Sequence, residues 1–564
     1  MESEKMIWDE KYSHPIAWRT EFAPLTIPDM LAAVVRDKPL APMIDFMGRV
    51  YSYAQVADAA ARVAKGLRDM GVSPGDRVGL YLPNVPHYVA AYYGAMMMGA
   101  IVVNFSPLYT AEELEHQAED SGTRVLFTLS ASALLPTALK VLEKSCIERL
   151  VVGSVAGALS TAKSLYYRFF KHDDVADIPD DARITRFSQL IDNDGDFPPV
   201  AIKPETDIAL LQYTGGTTGT PKGATLTHQN LSAVARQVAS VDKHSGDDDR
   251  IIGVLPLFHV FANTCVLNRT VAAGGEMILL PRFDAEQVLH TLERTKATYM
   301  PGVPTMYQAL LDHPATSHTD FSSLRVCISG GAPMPVEIKQ RFEQVTGAVI
   351  AEGYGLTESS GVVSVNPYEG VNKPGSIGQP MPGTLVKLLD REDPTRDAEP
   401  GQPGELAFSG PQAMQGYWQR PDADADVFVG GYVRTGDVAT IDADGYIRIV
   451  DRIKDMISVG GFKVFPSQVE SVLYRNELVK EALVIGIPDA YRGESPKAFV
   501  ALAAGAEITG DELMNWLNPQ LGKHERVVAV EIRDSLPKTL VGKLSRKELV
   551  AEEREKFEAG KIHG

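Results

Sequence analysis

The sequence predicts an α/β protein: parallel sheets covered by helices, then a small antiparallel β-subdomain, then a compact α+β unit. Three observations predict this. Strand-like and helix-like stretches alternate over the first two-thirds of the chain, the pattern of parallel sheets with helical crossovers. After about Gly375 the strands shorten and turns multiply. Past Lys454 longer elements return in a stretch of ordinary domain size. With 564 residues, 44% hydrophobic and 23% charged, the composition is globular and the length calls for more than one domain around a large core.

Taken in order, Tyr53 to Met70 has apolar residues at helical spacing and stops at Gly71. Arg77 to Leu82 reads as a strand closed by Pro83-Asn84. Tyr88 to Val103 is almost free of polar groups, but it is short of a membrane span and carries Gly94 and Gly99. It reads as a buried helix, Pro86 to Met98, and a buried strand, Ala100 to Val103. Glu112 to Asp120 is helical and Arg124 to Thr128 a strand. Ser164 to Lys171 holds four aromatics and two cations, either an aromatic patch under a loop or an interfacial membrane contact. Asp173 to Pro199 is acidic and reads as a surface excursion. Strands resume at Ile251–Leu255, Glu276–Leu280 and Arg325–Ser329. Gly404 to Phe408 and the Asp442–Gly445 turn belong to the β-subdomain. A boundary follows Arg448 to Lys454, and beyond it come a helix (Pro466–Tyr474), two strands (Lys480–Ile487, Pro496–Ala503) and a helix (Gly510–Leu517).

Charge and cysteine usage exclude several classes. A net charge of −18 disfavours nucleic acid as a partner, because phosphate binding over a long surface needs a basic face. Cys146, Cys265 and Cys327 are too scattered for a disulfide framework or a zinc cluster and fit a reducing compartment. The first residues lack a basic stretch followed by an apolar core, so no secretory leader is expected and the location reads as cytoplasmic.

The chemistry starts at Tyr213-Thr214-Gly215-Gly216-Thr217-Thr218-Gly219-Thr220-Pro221-Lys222-Gly223, which follows the apolar run from Ile208. Glycines let backbone N–H groups turn toward an anion, threonine hydroxyls reach phosphate oxygens or a metal, and lysine adds charge. It reads as a strand running into a phosphate-wrapping loop. It is not the Gly-Lys-Ser/Thr type of phosphate loop, since Pro221-Lys222-Gly223 ends it. Polar islands follow among apolar strands: His259 in Leu255–Phe261, the Ser329-Gly-Gly-Ala-Pro333 turn, Glu352 to Glu358, Asp437 in Arg434–Asp437, Arg452 and Lys454, and the cationic loop Leu536–Arg546. Singly each has a structural explanation, such as a turn-forming aspartate or a satisfied core histidine. Together they form the parts of a nucleotide site.

On these motifs the sequence resembles acyl-CoA synthetases of the adenylate-forming superfamily, over almost the whole chain and in the expected order. Leu211–Gly216, Asn104–Thr110 and Val363–Pro367 resemble the bacterial fatty-acid–CoA ligases in particular. The resemblance implies two parallel-sheet subdomains, the β-subdomain, and a mobile C-terminal domain over 454–564 that turns on a hinge at Lys454, with the adenylation domain over 1–453. It implies Mg²⁺, with ATP and coenzyme A as co-substrates. Thr214, Thr217, Thr218 and Lys222 would contact pyrophosphate, and Glu358 with Thr214 would hold the metal. Tyr354 would stack on adenine, and Gly331, Ala332 and Gly353 would line that pocket with Glu352, Gly355 and Thr357 in the same motifs. Asp437 would accept the ribose hydroxyls and Arg452 would donate to ribose or phosphate. Lys543 is the matching catalytic lysine, and His259 is a further catalytic candidate. Ile457 to Lys463, with Gly460 and Gly461, would swing in to form the thiol tunnel. Ser458 departs from relatives that carry lysine there, so a thiolation lysine at that position does not carry over.

The acyl pocket expected from the resemblance is apolar: Val260, Phe261, Gly302, Val303, Met306, Gly330 and Gly331. The reading is ATP-dependent activation of a medium- or long-chain fatty acid and its transfer to coenzyme A. A dicarboxylic or aryl-alkanoic acid as substrate, a free acyl carrier protein as acceptor, a homodimer and a peripheral contact with the inner face of a membrane stay open. The stretch after Lys543 is too short for a fused carrier domain.

Overall fold

The computed structural model describes residues 6–159, 174–214, 221–246, 248–460, 462–489, 491–539, 543–558 and 560. These residues form four sheets. The first has eight strands in the order Gly416–Tyr417, Gly223–Thr227, Ile208–Tyr213, Ile101–Asn104, Arg77–Leu80, Thr123–Leu129, Arg149–Gly153 and Ile184–Arg186. It is parallel from Ile208–Tyr213 onward, and the two strands before it are antiparallel additions. The second has nine, and its parallel middle includes Arg250–Gly253, Tyr299–Gly302, Val326–Ser329 and Val349–Tyr354. The expected α/β class with parallel sheets is what the chain adopts.

Local chemistry explains the elements that frame the site. Ser52 caps the helix Tyr53–Asp69 by accepting from Gln55, whose side chain returns to the Ser52 N–H. Proline stands in the first turn of the helix Pro86–Met97, which is buried almost all round and so lacks a polar face. The Tyr88–Val103 stretch is therefore core, and among the described residues no helix is long and apolar enough to cross a membrane. Asp173 to Pro199 differs in part from the surface excursion expected. Ile184–Arg186 pairs with Arg149–Gly153 and becomes an edge strand, too short to stand out in the sequence. The aromatic stretch from Ser164 lies outside the described residues.

The third sheet is antiparallel: Leu385–Leu389, Gly404–Ser409, Tyr432–Ile441, Phe428–Val429 and Ile447–Arg452. The start of the chain packs beneath it. Trp8 Nε1 donates to the Gly445 carbonyl at 2.8 Å and Trp18 Nε1 to that of Thr384 at 3.0 Å. The fourth sheet begins at Ile457 and pairs Val479–Asp489 with Gly493–Leu502 along their whole length. The helices Pro466–Leu473 and Gly510–Leu517 bury Val469, Leu473, Leu513 and Leu517 on one side of it, with Val484 and Val500.

Candidate active site

The Gly/Thr loop joins two antiparallel strands, Ile208–Tyr213 and Gly223–Thr227, rather than a strand and a helix. Its base is closed by the Thr214 N–H donating to the Lys222 carbonyl at 2.9 Å. Gly215 to Thr220 lie outside the described residues, as does Gly461. The Tyr213 phenol donates to Asp120 Oδ2 at 2.6 Å, and Arg420 pairs with the other oxygen of Asp120. The Trp418 N–H donates to the Gly223 carbonyl at 2.7 Å. Both ends of the loop are thus fastened from outside.

Glu358 sits in the single turn Thr357–Ser359 beside this base. Its carbonyl accepts from the Met414 N–H at 2.8 Å and its Oε1 from the Tyr417 hydroxyl at 2.6 Å. The Lys222 ammonium lies over the Tyr417 ring, 5.1 Å from its centre. Among the described residues no three His, Cys, Asp or Glu side chains gather as a metal cage.

The ends of parallel strands supply the next wall. Ser329 and Glu352 are partners on adjacent strands, so the Gly330–Pro333 turn and the Glu352–Glu358 stretch emerge side by side. Gly331 has φ +78°, which a side chain rarely adopts, and Ala332 follows it in the turn. Gly355 is required for a different reason: a Cβ there would lie 2.0 Å from the Gly361 carbonyl oxygen. Glu352 is buried, and burial pushes its carboxyl up to about 7. Its Oε1 accepts from the Met334 N–H at 3.0 Å.

Tyr354 ends its strand with its phenol on Asp437 Oδ2 at 2.5 Å. Asp437 faces Arg452 across the hairpin Tyr432–Ile441/Ile447–Arg452, and Arg452 Nε approaches Asp437 Oδ1 at 3.2 Å. Burial raises the Tyr354 phenol well above its usual range, and the Asp437 charge adds to this. Tyr354, Asp437 and Arg452 are therefore brought together.

Lys543 belongs to the same neighbourhood. Burial lowers its ammonium to about 8; Arg452 and Arg546 push the same way, against Asp437 and Asp455. The Thr539 N–H donates to the Lys543 carbonyl at 2.6 Å, and Arg546 reaches Glu470 at 2.6 Å and Asp455 at 3.3 Å. His259 senses Lys543 too. Burial first, and that ammonium second, push the imidazole down to about 4. Its Nδ1 accepts from the Phe261 N–H at 3.2 Å, which leaves Nε2 as the donor nitrogen of a neutral ring. Buried side chains pin the loop that carries it: Asn84 binds the carbonyls of Gly253 and Leu255 and the N–H of Leu257, and Gln212 binds the Phe258 carbonyl at 3.1 Å.

Of the acyl-pocket candidates, Val260, Val303 and Met306 are buried, and a Cβ on Gly330 would come within 3.0 Å of the Phe261 ring. A Cβ on Gly302 would crowd the Tyr307 ring at 2.9 Å. Lys454 stands exposed in the turn Ile453–Asp455, and Gly460 has φ +58° in the hairpin turn after Ile457–Val459. Sequence reasoning missed Asp120, Tyr417 and Arg420. Tyr417 and Arg420 were signalled only by the polar and aromatic Gly416–Arg420 stretch, Asp120 only as the end of a helix, and their partners are remote in sequence.

The chain belongs to the AMP-binding enzyme family, whose pattern it matches over residues 31–418, with the AMP-binding enzyme C-terminal domain matched over 468–543. It is 40% identical over 560 residues to a long-chain-fatty-acid–CoA ligase of Bacillus subtilis (strain 168), covering 98% of this chain and 99% of that one. Among solved structures it resembles the anthranilate CoA ligase AuaEII in complex with anthranoyl-AMP, with TM-score 0.83, 28% identity, and 96% and 99% of the two chains covered. It also resembles o-succinylbenzoate coenzyme A synthetase (MenE) from Bacillus subtilis in complex with ATP and magnesium ion, with TM-score 0.75, 26% identity, and coverage of 92% and 98%.

Proposed function

We propose that the chain activates a medium- or long-chain fatty acid with ATP to an acyl adenylate and then passes the acyl group to coenzyme A, releasing AMP and pyrophosphate. The observation that carries this reading is the convergence of Lys543, Asp437, Arg452 and Tyr354. Near-full-length similarity to a long-chain-fatty-acid–CoA ligase supports the choice of acid and acceptor.

In the first step the fatty-acid carboxylate attacks the α-phosphorus of ATP, and the bond to the β-phosphate oxygen breaks. Two anions meet, so the barrier is largely electrostatic. Lys543 and Lys222 supply positive charge, Lys543 toward the α-phosphate and Lys222 toward the leaving pyrophosphate. Asp437 takes the ribose hydroxyls and Tyr354 the adenine face. Glu358 and the Thr214 hydroxyl offer hard oxygen donors. Magnesium takes one or two carboxylates with substrate phosphate oxygens and keeps several waters, so this small donor set fits it. A magnesium ion there would supply further charge neutralisation on the phosphates.

In the second step the coenzyme A sulfur attacks the acyl carbonyl, the bond to AMP breaks with AMP leaving as the phosphate anion, and the thiol proton is released to solvent. Lys543 obstructs that approach while it lies at the phosphate. The C-terminal unit after residue 453 therefore rotates about Lys454 and brings Ile457–Lys463 to the thiol path. His259, neutral and donating through Nε2, orders the face from which the sulfur arrives.

A panel of carboxylic acids with ATP and coenzyme A, read as AMP release, tests the reading. Saturated acids of medium and long chain should lead. Preference for aryl or dicarboxylic acids, or activity only with an acyl carrier protein, would overturn the choice of acid or of acceptor. ATP–pyrophosphate exchange that ignores added acid would overturn the ligase reading itself.

A further inference from the structure

Tyr417 joins two charges that the adenylation step uses and that lie 136 positions apart in sequence. Its hydroxyl donates to Glu358 Oε1 at 2.6 Å, and its ring lies under the Lys222 ammonium at 5.1 Å. The backbone that aims the side chain is tied at several points. Gly416–Tyr417 pairs with Gly223–Thr227, with Tyr417 opposite Ala224. The Thr225 hydroxyl donates to the Gly416 carbonyl at 2.7 Å, and the Tyr417 N–H donates to Asp424 Oδ1 at 2.7 Å. The next residue, Trp418, donates its N–H to the Gly223 carbonyl at 2.7 Å, one position beyond Lys222. Three residues earlier, Met414 holds the Glu358 carbonyl. The segment from Met414 to Trp418 thus grips Glu358 by main chain and carboxylate, and the base of the phosphate loop by main chain and ring.

We infer that Tyr417 is a positioning residue: it orients the Glu358 carboxylate for a divalent cation and holds the Lys222 ammonium for the β- and γ-phosphates, so that both charges are set before the nucleotide arrives. The hydroxyl engages one carboxylate oxygen and so favours cation binding through the other. Hydrogen bonds that orient a ligating group typically change metal affinity 10–100-fold when removed. The ring is a separate contribution, an ammonium over an aromatic face. This inference rests on the proposed role of Glu358 as the metal carboxylate.

Two variants separate the contributions. Tyr417→Phe keeps the ring and loses the hydroxyl, whereas Tyr417→Leu loses both. The full chain is titrated with Mn²⁺ in the presence of ATP, reading free Mn²⁺ by electron paramagnetic resonance, and with ATP alone by equilibrium dialysis, with thermal unfolding alongside. Tyr417→Phe should weaken Mn²⁺ binding about tenfold, leave metal-free ATP binding and the unfolding temperature at parent values, and raise KM for the metal–ATP complex more than it lowers kcat. Tyr417→Leu should in addition weaken metal-free ATP binding about threefold through the Lys222 ammonium. Glu358→Gln serves as the reference and should lose Mn²⁺ binding. Parent-like Mn²⁺ binding in Tyr417→Phe overturns the inference if Glu358→Gln loses the cation, and overturns the metal reading as well if Glu358→Gln also keeps it. Weakened binding in Tyr417→Phe with parent-like binding in Glu358→Gln overturns it too, since the effect would not pass through the carboxylate. Equal loss of Mn²⁺ binding, metal-free ATP binding and thermal stability in Tyr417→Phe assigns the residue to folding alone and likewise overturns it.

Discussion

Asp437 and Arg452 face each other across adjacent antiparallel strands, with Arg452 Nε 3.2 Å from Asp437 Oδ1. The two charges act on Lys543 in opposite senses: Arg452 disfavours the ammonium and Asp437 favours it, and burial outweighs both. The Lys543 ammonium is thus held near the edge of its charged range.

The pH dependence follows from that balance. Lys543 is lowered to about 8 in the ligand-free chain, so the ammonium is present below that pH and lost above it. kcat/KM for adenylation, which reports the free enzyme, should fall on the alkaline side with a midpoint near 8. Lys543→Arg should remove that limb, because guanidinium stays charged. An unchanged alkaline limb in the arginine variant would exclude Lys543 as its source.

Lys543→Ala should cut adenylate formation about 10²–10³-fold or more, the usual cost of removing a group that stabilises developing charge. Thiolation of a supplied acyl adenylate should be largely spared, since a charge used in one step matters only there. The two half-reactions are assayed separately, and equal losses would refute the two-pose cycle.

Glu358→Gln should depress magnesium-dependent turnover even at saturating ATP while leaving fatty-acid binding near the parent value. An amide is a neutral and poorer ligand for a hard cation. Rates across a magnesium series decide it, and near-parent activity at modest concentration would remove Glu358 from the metal site.

Lys454→Pro should leave adenylation substantially intact and cripple acyl-CoA formation. Proline fixes φ near about −65° and restricts the residue before it, at a turn where a few residues must absorb a large backbone change. Acyl-AMP should accumulate in a pre-steady-state assay and transfer little after coenzyme A is added. Acyl-CoA formation at the parent rate would rule out rotation about Lys454.

Gly355→Ala and Gly353→Ala should behave differently although both lie in one short motif. A Cβ at 355 meets main-chain atoms of Gly361 at 2.0 and 2.5 Å, whereas one at 353 meets ordinary contacts at 3.4 Å. The first should cost on the order of 3 kcal/mol by forcing the backbone apart, and the second about 1 kcal/mol or less. Chemical unfolding of both variants checks it.

The parallel-sheet scaffold was legible because its signals are local: strand–helix alternation, prolines opening helices and glycines closing them. Asp437 and Arg452 stood out as polar islands, but their proposed roles came from the family resemblance, and their facing each other across a hairpin follows only from the strand pairing. The edge strand Ile184–Arg186 was not legible, because three residues leave no alternation to read. The fastening of the phosphate loop was also illegible. Asp120, Tyr417 and Arg420 act through partners scattered from Tyr213 to Glu358, and nothing in a single stretch of sequence points across such a distance. His259 stood out as a polar residue among apolar ones, yet its neutral state follows only from what the fold packs around it.

The grip of Trp8 on the Asp442–Gly445 turn has a consequence for how the protein is made. The two residues are 437 positions apart, and the strand Pro42–Phe46 likewise waits for Glu276–Leu279. Early segments with two tryptophans and an apolar strand must stay unsheltered while the ribosome delivers most of the chain. Loop closure over such spans is slow, and exposed apolar surface invites association. The turn that Trp8 holds connects the strands bearing Asp437 and Arg452, so this corner of the fold draws on segments far apart in the chain and cannot be completed until the later of them has been synthesised.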